Sequence, residues 1–324
     1  MTLGENGERS GNVKLICAKL GMSRQNYYAA RKRRQRQEVD EALVVELVKT
    51  ERRLQPRLGA RKLRVLLQED MSDTGVKLGR DRFFTVLRKN GLLLDPLPKK
   101  PRTTNSMHSL PVFRNLLKDL ELTQANQAWV ADLTYIRTDA GFLYAAILTD
   151  AWSRKIVGTH IGESLEATGS LKALEIALRK LPDGHYPLHH SDRGCQYCCH
   201  LYVERCREEG LPVSMTEELH CYENAKAERV NGILKQEYGL GSTFRTKALA
   251  KDAFKQAVYL YNHRRPHQAL GYRIPAQVHT EARERISLSS RRAMPLSLRD
   301  TPAGTGLAWR EDADTLSDRA WQNN

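Results

Sequence analysis

Three strand-like runs, separated only by turn-length connections, crowd into residues 127–162, and this block limits the fold more than any other feature of the chain. The first, QAWVADLTYIRTD (127–139), alternates well enough for a strand; two more lie within GFLYAAILTDAWSRKIVGTHIG (141–162), joined by a turn near Asp150–Arg154. Beyond them the pattern changes to alternation with helices. SLEATGSLKALEIALRKLP (164–182) has helical periodicity and ends at a proline, and PLHHSD (187–192) is a short strand running into a turn. QYCCHLYVERCREEG (196–210) reads as one helix stopped by glycine, LPVSMT (211–216) as a fifth strand, and 223–239 and 247–264 as two further helices. The expectation is an α/β domain: a five-stranded mixed sheet with flanking helices.

Charge separates this domain from what precedes it. Of the net +14, residues 1–115 carry almost all, with 25 Lys and Arg against 12 Asp and Glu, while the remainder is close to neutral. Such asymmetry points to a separate module that grips a polyanion, and solubility alone gives no reason for it. In VKLICAKLGMSRQNYYAARKRRQR (13–36) an apolar helix meets Gly21, and Ser23 is placed to cap a basic second helix. Arg24, Arg31, Lys32 and Arg33 on that helix are candidate DNA contacts. GARKLRVLLQED (59–70) and GRDRFFTVLRKNGLL (79–93) repeat the outline, so the front is read as an all-α, helix-turn-helix region. The expected organisation is a helical region over 1–95, a Pro-rich linker over 96–122 beginning PLPKKPR, a core over 123–284, and an unstructured tail over 285–324. No apolar stretch approaches a membrane span, and MTLGENGERSG lacks the shape of a signal peptide. The expected setting is cytoplasmic.

Three carboxylates are candidates for chemistry. Asp132 lies mid-strand among Trp129, Val130, Ala131 and Leu133, where a buried carboxylate is costly unless paired or coordinated. Asp192 stands where a strand ends in a glycine turn, a usual place for ligand-binding groups and also for an ordinary turn Asp. Glu228 shares a helix face with Asn224 and Lys235, at spacings of four and seven. Taken alone it reads as a surface residue, with Glu223 and Glu237 as rivals. Two strand-borne aspartates and a helical glutamate suit divalent cations and an in-line displacement at phosphorus. The cluster Cys195, Cys198, Cys199, His200, Cys206, His220 and Cys221 is superficially zinc-like. No second CxxC or HxxxH pair answers the first, and buried thiols are the simpler reading.

Five blocks in order, WVADLTYI, TDAWSRKIVG, HSDRGCQY, ENAKAERVNGILKQE and YNHRRPHQAL, resemble the signature blocks of the insertion-sequence-three family of bacterial transposases. They resemble its second-frame (OrfB-type) catalytic subunit, within the retroviral-integrase superfamily. The resemblance spans about Gln127 to Gln277 and implies a ribonuclease-H-like core. Asp192 and Glu228 are separated by 35 residues, the interval typical of the family's Asp-Asp-Glu set; Glu223 would leave 30 and Glu237 would leave 44. The resemblance therefore implies Asp132, Asp192 and Glu228 as catalytic metal ligands for two Mg²⁺ (or Mn²⁺) ions. It implies Asn224 and Lys235 near the DNA strand, a supporting role for Tyr261, Asn262, Arg265, Pro266 and His267, and no ligand role for Asp150. Glu223 stands where the family more often has Asp, and Cys195 where it has Ser. The implied partners are double-stranded DNA, both element ends and target, and further copies of the chain, which places the chain with the bacterial nucleoid. In the family an upstream frame often supplies a DNA-binding partner or fusion. The rival reading is a non-catalytic DNA-binding regulator with a decayed core.

Overall fold

A computed structural model describes residues 13–15, 17–95, 111–217 and 224–281. Residues 96–110 of the expected linker, the expected tail, and Glu223, His220 and Cys221 lie outside the described residues. Every regular element described in the front is a helix. A helical stretch ends at Gly21 (φ 62°), and Ser23 accepts the Asn26 amide at 3.1 Å to open α1, Arg24–Leu54. With no glycine or proline from 24 to 54, nothing stops this helix after the basic run, and it extends for 31 residues. Then come α2 (Ala60–Leu66), α3 (Gln68–Asp73) and α4 (Arg80–Lys89), with Gly59 and Gly79 as extended caps. Val44 and Val48 of α1 pack on Leu63, Leu67, Met71, Phe83 and Leu87, giving the region a core of its own.

The sheet has the order β3-β2-β1-β4-β5. Strands β1 (Ala128–Thr138), β2 (Gly141–Asp150) and β3 (Ile156–Gly162) form an antiparallel meander. Strands β4 (Leu188–Ser191) and β5 (Val213–Met215) add in parallel on the other side of β1. This is the mixed five-stranded sheet of a ribonuclease-H-like core, as the sequence predicts. Alternation along β1 feeds both faces. Trp129 and Ala131 point towards α5 (Ala167–Leu178), α6 (Cys195–Cys198) and α7 (His200–Glu208). Ile136, with Leu143, Ala145 and Ile147 of β2, meets α8 (Ala225–Glu237) and α9 (Lys247–His263).

The single helix expected over 196–210 is instead two, because Cys199 is extended (φ −68°, ψ 148°) and caps α7. Neither glycine nor proline marks the break, and residues on both sides of it, Tyr197, Cys198, Tyr202 and Cys206, join the same core cluster. Residues 111–122, at the end of the segment read as a linker, lie against β5: Leu116 N donates to Ser214 Oγ at 2.9 Å. No described helix is long and apolar enough to cross a membrane.

Candidate active site

The site lies where two central strands part. Parallel pairing of β1 and β4 ends at Val130↔His190, so Asp132 and Asp192 each come two residues after the last paired positions, at the carboxyl end of the ladder. Asp132 Oδ1 accepts the Leu133 amide at 2.8 Å, and Oδ2 accepts Asn231 Nδ2 at 2.7 Å. Asp192 closes its own turn: Oδ1 accepts the Gly194 amide at 3.0 Å. A Cβ on Gly194 would stand 2.9 Å from that oxygen, so a side chain there would press on the Asp192 carboxylate. Arg193 ties the turn to β5 through Nε to Thr216 O at 2.7 Å.

Glu228 occupies the first turn of α8, which is docked against β1 by two asparagines. Asn224, at the N-cap, is buried and donates to Ala131 O at 2.9 Å; Asn231 holds Asp132 itself. Asn231 escaped the sequence reading, although it lies seven residues after Asn224 and three after Glu228, on the face already marked by them. Burial, then the charge of Asp192, pushes the Asp132 carboxyl up to about 7, with Glu228 adding to the effect and Asn231 and the Leu133 amide opposing it. Asp192 and Glu228 thus both act on Asp132, though the three come from separate elements.

Other sequence candidates fall in different places. Lys235 lies further along α8 with its ammonium 4.3 Å from the Tyr135 ring centroid, beyond the end of the β1–β4 ladder. Arg24, Arg31, Lys32 and Arg33 are exposed on the first half of α1. Asp150 is buried away from the carboxylate group: it accepts Ser153 N and Oγ at 2.6 Å and Asn126 N at 2.7 Å. Burial pushes its carboxyl up, but the His279 ring, 3.9 Å away, and Ser153 outweigh that and hold it below its ordinary value. Glu237, the rival on α8, accepts Arg265 Nε at 2.8 Å and Lys62 Nζ at 2.6 Å. Asn262 pins β3 by pairing with both N and O of Ile156 at 2.9 Å. Cys198 and Cys206 are core thiols, each pushed up to about 12, chiefly by burial.

Among the described residues no three His, Cys, Asp or Glu side chains form a ready-made metal cage. The donor set nevertheless fits a hard divalent cation, which prefers a few carboxylates together with water and substrate phosphate. The electrostatics fit too. A carboxyl whose ionised form is penalised by like-charged neighbours is one that a cation among them relieves.

Two family descriptions, both of an integrase core domain, match residues 123–221 and 209–275. The chain is 35% identical over 265 residues to an insertion element IS600 uncharacterized 31 kDa protein from Shigella sonnei, covering 81% of this chain and 96% of that one. It is 32% identical to the transposase for insertion sequence element IS629 of the same organism, over 81% and 89%. Against transposase InsF for insertion sequence IS3A of Escherichia coli (strain K12) the identity is 29%, over 82% and 93%. Among solved structures, the HTLV-2 integrase catalytic core domain covers 51% of this chain and 99% of its own, at 18% identity and a TM-score of 0.39. The fold assignment rests on the chain's own sheet and on the matched domain. Sheet and domain together define a polynucleotidyl transferase with an integrase-type core. Within that class, the chain belongs to the insertion-sequence-three family of transposases.

Proposed function

We propose that Asp132, Asp192 and Glu228 are the catalytic metal ligands of this DNA transposase, and that it cleaves and joins DNA at the terminal inverted repeats of a mobile element. The observation that carries this reading is geometric: Asp132 and Asp192 both lie two residues past the end of the β1–β4 ladder, and Asn224 and Asn231 dock the helix that bears Glu228 against β1. The three would hold two divalent cations, Mg²⁺ or Mn²⁺. When bound, these supply the positive charge that an in-line displacement at phosphorus requires.

The chain's own residues do the positioning. Asn231 and the Leu133 amide fix the Asp132 carboxylate, one on each oxygen, and the Gly194 amide fixes that of Asp192. Asn224 holds the first turn of α8, and with it Glu228, against β1 through its Nδ2, and it stays with Lys235 among the residues proposed to lie near the DNA strand. Lys235 offers a cation on the same helix for the DNA strand, and the exposed Arg24, Arg31, Lys32 and Arg33 offer phosphate contacts further off. In the first displacement water attacks the phosphodiester and the P–O3′ bond breaks, freeing a 3′-hydroxyl. In the second that hydroxyl attacks another phosphodiester, whose own 3′-oxygen leaves as its P–O bond breaks, with orientation and charge neutralisation lowering the barrier. Assembly of several copies on DNA belongs to the same proposal.

Asp132→Asn is expected to abolish metal-dependent strand transfer while end binding in a gel shift stays within about twofold of wild type. Wild-type joining by Asp132→Asn would refute the ligand assignment. Binding by the wild type without any metal-dependent joining would favour the non-catalytic regulator.

A further inference from the structure

A cavity of about 340 Å³ opens between α2, α4 and the turn after the 3₁₀ segment Gln268–Leu270, lined by Arg61, Arg64, Val65, Arg80, Phe84 and Tyr272. Three arginines in one cleft repel one another, so their company needs an explanation. Nearby cations on the same helices are neutralised: Arg82 and Lys89 of α4 both reach Glu41, and Lys62 of α2 reaches Glu237. Arg61, Arg64 and Arg80 take part in no ion pair among the described residues. Arg64 Nε is shut off from solvent and meets no hydrogen-bond acceptor there. A buried donor without an acceptor is costly, and the rest of the Arg64 guanidinium lines the cleft where an anion can reach it.

The walls are firm. Arg61 and Arg64 are one turn apart on α2, as are Arg80 and Phe84 on α4. Tyr272 sits in a left-handed turn (φ 65°) whose amide donates to His267 O at 2.9 Å. Phe84 and Tyr272 supply apolar surface against which a sugar can lie, while the guanidinium groups match phosphate oxygens.

We propose that this cleft binds backbone phosphates of duplex DNA, in a site shared by the helical front and the segment that follows α9. The choice of duplex DNA over a free anion rests on the reading of the chain as a DNA transposase and on the basic surplus of its front third. The cleft would seat the duplex by its backbone and carry no sequence preference of its own.

The test is fluorescence anisotropy with a labelled duplex across a salt series, using the full chain and the variants Arg61→Gln, Arg64→Gln, Arg80→Gln, Arg64→Lys and Arg82→Gln. Each cleft Gln variant is expected to bind roughly threefold to tenfold more weakly and to lower the slope of log affinity against log salt by about 1. Arg64→Lys keeps the slope, and Arg82→Gln changes less than any cleft variant. Inorganic phosphate at matched ionic strength leaves the duplex bound. Thermal unfolding establishes that each variant is folded, and Arg64→Lys keeps the test decisive if a Gln variant is not. The proposal is overturned by wild-type slopes in folded cleft variants, by an equal loss in Arg82→Gln, or by displacement of the duplex by phosphate. Absence of Mg²⁺-dependent joining by the wild type would instead count against the transposase mechanism, and the salt slopes would still decide the cleft.

Discussion

Asp132 concentrates the tension of the site in one group. Its carboxyl is raised from an ordinary value near 4 to about 7, so the folded protein keeps this proton longer than the unfolded chain does. The stability that goes with it is fully present below the ordinary carboxylate range and is lost as pH climbs towards 7. Removing the charge removes the loss. Asp132→Asn should therefore be more stable than wild type without metal, by an amount that grows from pH 4 to pH 7 and reaches on the order of 1–3 kcal/mol. Differential scanning calorimetry across that range checks it, and a pH-independent difference would refute it. Mg²⁺ should raise the wild-type Tm above pH 7 and leave that of Asp132→Asn nearly unchanged. Gly194→Ala tests the neighbouring carboxylate: a Cβ 2.9 Å from Asp192 Oδ1 should displace it and cut strand transfer roughly tenfold or more, with Tm little altered. At this scale the sequence was informative where residues stand in blocks. Asp132 was conspicuous in its own strand, and the 35-residue interval singled out Glu228. It was less so for Asn231, whose partner lies 99 residues away. An amide on a helix face announces no partner until the sheet is folded beneath it.

At the scale of elements, the strands were readable because alternation, turn residues and β-branched side chains agree over 127–162. The break at Cys199 and the length of α1 were not, since no local residue signals the one and only the lack of a stop signal allows the other. The close approach of β3 to α5 is likewise a tertiary fact. A Cβ on Gly158 would lie 2.2 Å from the carbonyl oxygen of Ala173, a backbone atom that cannot turn aside. Gly158→Ala is therefore expected to cost about 1–3 kcal/mol, as overpacking in a filled interior does. A chevron or denaturant melt measures it. An unchanged midpoint would mean that α5 is free to slide outward.

Across the whole molecule, the helical front and the core meet through ions. Glu237 accepts Arg265 Nε and Nη2, at 2.8 and 2.9 Å, and Lys62 at 2.6 Å; Arg264 makes a two-pronged contact with the buried Glu51. Burial and the charge of Arg265 push the Lys62 ammonium down, with Glu237 opposing them, so the planar Arg265 pair is the stronger member and Lys62 the weaker. Burial pushes Glu237 up, but Arg265 and Lys62 outweigh it and hold it below its ordinary value. Its contribution is thus present above the ordinary carboxylate range and is lost as the solution turns acid below it. Glu237→Gln leaves two cations without their counter-charge and should cost about 3–5 kcal/mol, most visibly as earlier protease cleavage around α2. Unchanged proteolysis would separate the front from the core energetically. This seam has a consequence for swapping parts. A front lacking Glu51 and Lys62 would leave Arg264 and Glu237 without their partners across it. The charges work as a compatibility code between the two parts of the chain.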